Sequence, residues 1–144
     1  MPTITARRAL GPHGWLHGAR VGVDRGVITS VETADGPFDV DTLAPGFVDL
    51  QVNGIDDVDC SAADGDQWRR LDELVVAQGV TAWCPTLVTM PLDAYRRPLA
   101  RITEAVESAA DDAATILGVH LEGPFLGGAP GAHPRSLIRD ADLD

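Results

Sequence analysis

Two patterns of apolar and polar positions divide the chain. Up to about residue 44, short β-prone stretches (Thr3 to Ala6, Arg20 to Val23, Val27 to Val31) alternate with glycine and aspartate, with no helical period. Asp24-Arg25-Gly26 reads as a hairpin turn with Gly26 at positive φ, and Asp35-Gly36-Pro37 as a second turn. Beyond Leu43, strand and helix periods alternate. Phe47 to Val52 is an apolar run of strand length. Asp64 to Gln78 puts Trp68, Leu71, Leu74 and Val75 on one helical face and is followed by Gly79, a residue suited to a helix C-terminus. Val80 to Val88 is a second strand. Leu92 to Ala110 carries Leu92, Tyr95, Leu99, Ile102 and Val106 at spacings of three or four. Pro91 fits the first turn of that helix, whereas Pro98 predicts a kink or a true start near Leu99. Thr115 to Leu121 is a third strand.

The order β-α-β-α-β with short connections predicts an α/β fold built on a parallel sheet with right-handed crossovers. The strands are almost wholly apolar, as in sheets covered on both faces. Two of them end alike. Phe47-Val48-Asp49-Leu50-Gln51-Val52-Asn53-Gly54 and Val119-His120-Leu121-Glu122-Gly123-Pro124 both run into polar side chains and close on glycine. Strands that end this way suggest a barrel with its active site at the strand C-terminal ends.

Composition narrows the partners. A net charge of −11 and a pI near 4.5 argue against nucleic acid and against anionic membranes. The positive charge comes from arginine alone, with no lysine. No run approaches the ~18 apolar residues of a membrane span. Met1 to Arg8 lacks the apolar stretch of a signal peptide, so a cytoplasmic location is the default expectation. Cys60 and Cys84 form no CxxC pair, which argues against a disulfide or a zinc knuckle, and Cys84 reads as core.

Gln51 and Asn53, two apart, share one side of their strand. They are either amides that contact water or substrate, or the polar end of a strand before an Asn-Gly turn. His120 and Glu122 repeat the spacing. Glu122 is either a metal ligand or acid/base, or a salt-bridged carboxylate at a loop. One glutamate does not make a metal site, where about three protein ligands are usual, and no other cluster completes one. Asp49 must be paired or hydrogen-bonded. His13 and His17 read as solvated loop residues. The loop Gly127 to Gly131 follows the Glu122 strand and is placed to carry substrate contacts. It lacks the glycine spacing of a nucleotide loop.

Four segments in order, Pro45 to Gly54, Pro85-Thr86-Leu87, His120 to Phe125 and Gly131-Ala132-His133, resemble the N-terminal part of N-acetylglucosamine-6-phosphate deacetylases of the amidohydrolase superfamily. The resemblance covers about residues 44 to 135. It implies the N-terminal part of a (β/α)8 TIM-like barrel preceded by a small β-sandwich segment, with residues 1–44 in the sandwich and residues 45–144 forming the first three β/α units. It implies hydrolysis of an N-acetyl amide on a sugar-phosphate substrate, giving glucosamine 6-phosphate and acetate, with one divalent metal ion, zinc or iron. Glu122 matches the family's metal-ligating glutamate. Gln51 and Asn53 stand where other amidohydrolases carry two metal-binding histidines, and line the site. Ala132 matches a position that contacts the sugar through its backbone, His133 lies near the substrate, and His120 is core-facing rather than a ligand.

The catalytic aspartate, two metal-binding histidines and the phosphate-binding residues belong to later strands of the family, so the resemblance places no catalytic residue in this chain. Three of a barrel's eight strands lead us to expect a truncated product or gene fragment, inactive alone, of an enzyme that is a homodimer at full length. Two alternatives stay open. One is another amidohydrolase, disfavoured because its first strand should carry His-x-His. The other is a non-catalytic fragment with an open sheet edge.

Overall fold

The computed structural model describes residues 2–141. The chain separates at Pro45/Gly46 into two compact units.

The first unit is one four-stranded sheet. β1 (Thr3–Gly11), β2 (Gly14–Asp24), β3 (Val27–Thr33) and β4 (Val40–Leu43) lie in the order β3-β2-β1-β4. β1, β2 and β3 pair antiparallel, and β4 joins β1 in parallel. β1 and β2 run longer than the apolar pattern indicated, because arginine interrupts that pattern while serving the sheet. Arg7 reaches Asp41 at 2.9 Å, and the Arg8 guanidinium lies 5.1 Å from the centre of the Trp15 ring. The turn between β2 and β3 has φ of 47° at Arg25 and 77° at Gly26, both positive as a two-residue hairpin turn of this kind requires. Ala6, Ala9, Ala19 and Val21 are the buried side chains of this unit. The sandwich that the resemblance implies needs a second layer, which the described residues of this unit do not form.

The second unit is the α/β part. Its elements are β5 (Phe47–Val52), a small hairpin of β6 (Gly54–Ile55) and β7 (Val58–Asp59), α1 (Asp66–Ala77), β8 (Val80–Val88), a 3-10 turn (Leu92–Tyr95), α2 (Arg96–Glu107), β9 (Thr115–Ile116), β10 (His120–Glu122) and a second 3-10 turn (Arg135–Leu137). β8 is central. β5 pairs with it on one side, β9 and β10 on the other, and every pairing is parallel. The core gathers Trp68, Leu71 and Val75 of α1 with Trp83 and Leu87 of β8 and Ile102 of α2. The periodicity of Asp64 to Gln78 had marked that face of α1, and Gly79 follows it at φ 79°.

Three expectations for this unit need correction. The third strand is not continuous. β9 pairs with Ala82 and Trp83, β10 with Thr86 to Val88, and the gap falls opposite Cys84 and Pro85. Proline has no N–H for a ladder, so the neighbouring strand has nothing to accept there. The second helix does not start at Leu99 or reach Ala110. It starts at Arg96 behind the 3-10 turn, which makes Pro98 its third residue. An N–H has no intrahelical partner at that position, so the helix runs through the proline. It ends at Glu107, where Ser108 Oγ donates back to the Glu104 carbonyl at 2.7 Å.

The apolar strands are also not all covered on both faces. Phe47 is 69% exposed, and Val48, Leu50 and Leu121 are exposed as well, whereas Trp83 and Leu87 of β8 are buried. β5 lies at the edge of the sheet, and of its residues only Val52 joins the Trp83–Leu87 core. Cys84 is only half-buried; the fully buried cysteine is Cys60, and both thiols are free.

Candidate functional site

β5 and β10 run parallel on either side of β8, so their C-terminal ends meet the same edge of the sheet. Gln51 is the penultimate residue of β5, Asn53 follows the strand, and Glu122 ends β10. The two-residue spacing turns both amides to one side, and both reach Glu122. Gln51 Nε2 donates to Glu122 Oε2 at 3.2 Å, and Asn53 Nδ2 donates to the same oxygen at 3.4 Å. His133 comes in from the loop after β10 and places Nε2 3.1 Å from Glu122 Oε1. Both carboxylate oxygens are therefore held.

These contacts set the charge of the site. The hydrogen bond with His133 is the main cause that lowers the Glu122 carboxyl below the usual carboxylate range. The Asn53 amide adds to it, burial opposes it, and the charge of His133 and the Gln51 amide complete the balance. Glu122 is thus an oriented, ionised carboxylate at neutral pH.

Thr89 ties the site to β8, and the sequence reading had not singled it out. It follows the last residue of that strand and is 5% exposed. Its hydroxyl donates to the Glu122 carbonyl at 3.0 Å, and Oγ1 lies 2.9 Å from His133 Nδ1. Gly123 makes this possible. It sits at φ 93°, and a Cβ there would run into Thr89 Oγ1. One signal was available in the sequence: the strand-end rule that marks Gln51 and Glu122 applies equally to the strand between them.

Other anticipated residues fall elsewhere. His120 Nδ1 lies 3.4 Å from Thr86 Oγ1 of the neighbouring strand. Ala132 is exposed, in the turn where the His133 N–H donates to the Pro130 carbonyl at 3.1 Å. Asp49 Oδ1 accepts from the Gln51 N–H at 3.0 Å, which supplies the partner that its charge requires. His13 and His17 are exposed in the first unit, His17 within β2 rather than in a loop.

The described residues contain no group of three or more His, Cys, Asp or Glu side chains placed to hold a metal ion. At this site they bring together one carboxylate, one imidazole and two amides. That donor set fits one anionic ligand of a metal centre and not a whole one. A cavity of about 320 Å³ lies elsewhere, between α1 and the end of α2, where Trp68, Asp72, Trp83 and Ala105 line it.

The chain is similar to known amino-sugar-phosphate deacetylases, as its motifs led us to expect. It is 43% identical over 106 residues to the N-acetylglucosamine-6-phosphate deacetylase of Bos taurus, a match spanning 71% of this chain and 25% of that protein. It is 33% identical over 144 residues to the N-acetylgalactosamine-6-phosphate deacetylase of Escherichia coli O157:H7, spanning 97% of this chain and 38% of that protein. Among solved structures, a Mycobacterium smegmatis N-acetyl-D-glucosamine-6-phosphate deacetylase variant in complex with N-acetyl-D-glucosamine-6-phosphate superposes with a TM-score of 0.80 at 29% identity. That superposition covers 97% of this chain and 37% of the solved one. The chain therefore spans between about a quarter and two fifths of these relatives. No family model matches it.

Proposed function

We propose that the complete gene product hydrolyses the N-acetyl group of N-acetylglucosamine 6-phosphate to glucosamine 6-phosphate and acetate, and that this chain supplies part of the site. One observation carries the reading: Glu122 is held at both oxygens by Gln51, Asn53 and His133 at the ends of two parallel strands, in a chain similar to such deacetylases.

Glu122 would hold the divalent metal ion, zinc or iron. The metal, when bound, polarises the amide carbonyl and lowers the pKa of a bound water. The chain's own residues prepare the ligand. A carboxylate offers about four lone-pair sites, and three are taken by the contacts with Gln51, Asn53 and His133. One is left for a cation without breaking any of them. Gln51 and Asn53, as neutral amides, orient the carboxylate and leave its negative charge uncompensated. His133 and the backbone at Ala132 stand on the loop side, where a sugar would rest. The same proposal takes the two units to be the start of a (β/α)8 barrel and part of a β-sandwich, in a cytoplasmic homodimer. No helix of the described residues is long and apolar enough to cross a membrane.

The 33% identity with the N-acetylgalactosamine-6-phosphate deacetylase, over nearly the whole chain, supports a second substrate, the C4 epimer N-acetylgalactosamine 6-phosphate. Acetate release by the complete gene product, measured on both epimers with zinc or iron supplied, tests the proposal. We expect turnover with a higher kcat/KM on the glucosamine series. Preference for the galactosamine series would move the assignment to the second reading, and no acetate from either would refute both.

A further inference from the structure

Packing alone does not explain the hydroxyl of Tyr95, the one tyrosine of this chain. The ring belongs to the core, and a phenylalanine would fill the same place. The hydroxyl instead bridges two backbone groups. It donates to the Val88 carbonyl at 3.2 Å and accepts from the Met90 N–H at 3.4 Å. These groups flank Thr89, just where the parallel ladder with β10 ends at the Val88–Glu122 pair. Thr89 in turn donates to the Glu122 carbonyl at 3.0 Å. We propose that Tyr95 is a positioning residue for Glu122: its hydroxyl fixes the backbone on both sides of Thr89, and Thr89 fixes the main chain that carries the carboxylate.

The surroundings support this role. Tyr95 is 7% exposed and Thr89 is buried as well, so water competes little for either hydroxyl. A phenol has one proton to give and lone pairs to accept with, so both backbone contacts of Tyr95 hold at once. Tyr95 closes the 3-10 turn, in which the Ala94 N–H donates to the Pro91 carbonyl at 2.9 Å, and α2 follows directly. The bridge is thus anchored in a packed element rather than in a free loop. Gln51, Asn53 and His133 hold the Glu122 side chain; Tyr95 and Thr89 hold its backbone from another direction. Both ends of the residue are then fixed, and a displacement of about 1 Å at a reacting site can cost on the order of 100-fold in rate. The kinetic part of the test rests on the deacetylase proposal, and the spectroscopic part does not.

The test is a double-mutant cycle on the complete gene product with Tyr95→Phe, Thr89→Val and both together. We expect kcat of Tyr95→Phe to fall about 10-fold, the lower end of the range typical of partners outside a site's ligands, with KM little changed. Because Tyr95 acts through Thr89, the double variant should be no slower than Thr89→Val alone. Losses that multiply, or a Tyr95→Phe that is less stable but keeps the wild-type kcat, would overturn the proposal. Alongside, labelling with 13C-glutamate and 15N-glycine picks out the Glu122–Gly123 peptide, assigned by its loss in Glu122→Gln. Its nitrogen shift follows the hydrogen bond on the Glu122 carbonyl. The signal should move in Tyr95→Phe towards its position in Thr89→Val, and an unmoved signal would contradict the link. If Tyr95→Phe does not fold, hydrogen exchange in the wild type decides: the Met90 amide should be protected, and exchange at the rate of an open loop would overturn the bridge. No acetate from the wild type would refute the activity and leave the peptide signal to judge the positioning.

Discussion

Cys60 shows how strongly this fold acts on single side chains. It is 1% exposed, its thiol donates to the Val52 carbonyl at 3.0 Å, and burial pushes its pKa up to about 11. The thiolate is the reactive form, so native Cys60 should resist a thiol reagent at pH 8 and react once the protein is unfolded in denaturant. Rapid labelling of Cys60 in the native protein, followed by mass spectrometry, would contradict this. The candidate site was legible to different depths at this scale. Gln51, Asn53 and Glu122 could be read because strand alternation and parallel direction are local rules that converge on one edge. His133 could be named from its motif, but no period encodes the path of the loop from Gly123 to Ala132 that delivers it to Glu122 Oε1. Thr89 escaped notice because a single threonine after an apolar strand carries no pattern, and its role exists only once three segments meet.

Elements built on one dominant face were read well. Phe47–Val52 and Val80–Val88 begin and end where their apolar runs do, and α1 buries the face its period marks. Leu71, fully buried in that face, should cost about 2–5 kcal/mol of stability when changed to alanine. Val76, which is 44% exposed on the same helix, should cost within about 0.5 kcal/mol. Equal shifts of the two variants in urea unfolding would argue against the packing described. What could not be read depends on neighbours. The break between β9 and β10 arises from Pro85 on another strand, and the start of α2 from a 3-10 turn that resembles helix in its spacing.

α1 also carries Asp72, whose carboxyl is raised above its usual value chiefly by burial. The Ala114 N–H donates to it at 2.8 Å and opposes the rise, while the charges of Asp112 and Glu73 add to it. A raised folded pKa means that the folded state holds the proton more tightly than the unfolded one. The site therefore takes stability away as pH rises from the unfolded carboxylate range through the raised folded value. Asp72→Asn keeps an acceptor for Ala114 and carries no charge. We expect it to be more stable than wild type at pH 7, with the difference shrinking below about pH 4. Thermal unfolding across that range checks this, and a variant less stable at pH 7 would contradict it.

At the scale of the whole molecule, two units of different build share one chain. The change of pattern near residue 44 marks the change from the mixed sheet to the parallel one. Burial was the less legible part. An apolar strand looks the same in sequence whether its faces are covered or not, and Phe47, Val48 and Leu50 on β5 are exposed in the described structure. The central claim is that Glu122, fixed by Gln51, Asn53 and His133, is a metal ligand of a sugar-phosphate deacetylase. It is tested most directly by measuring bound metal and acetate release in the complete gene product carrying Glu122→Gln. We expect both to fall together, with activity reduced by more than the roughly 10- to 100-fold typical of outer-shell partners; metal content and turnover at the wild-type level would contradict the account.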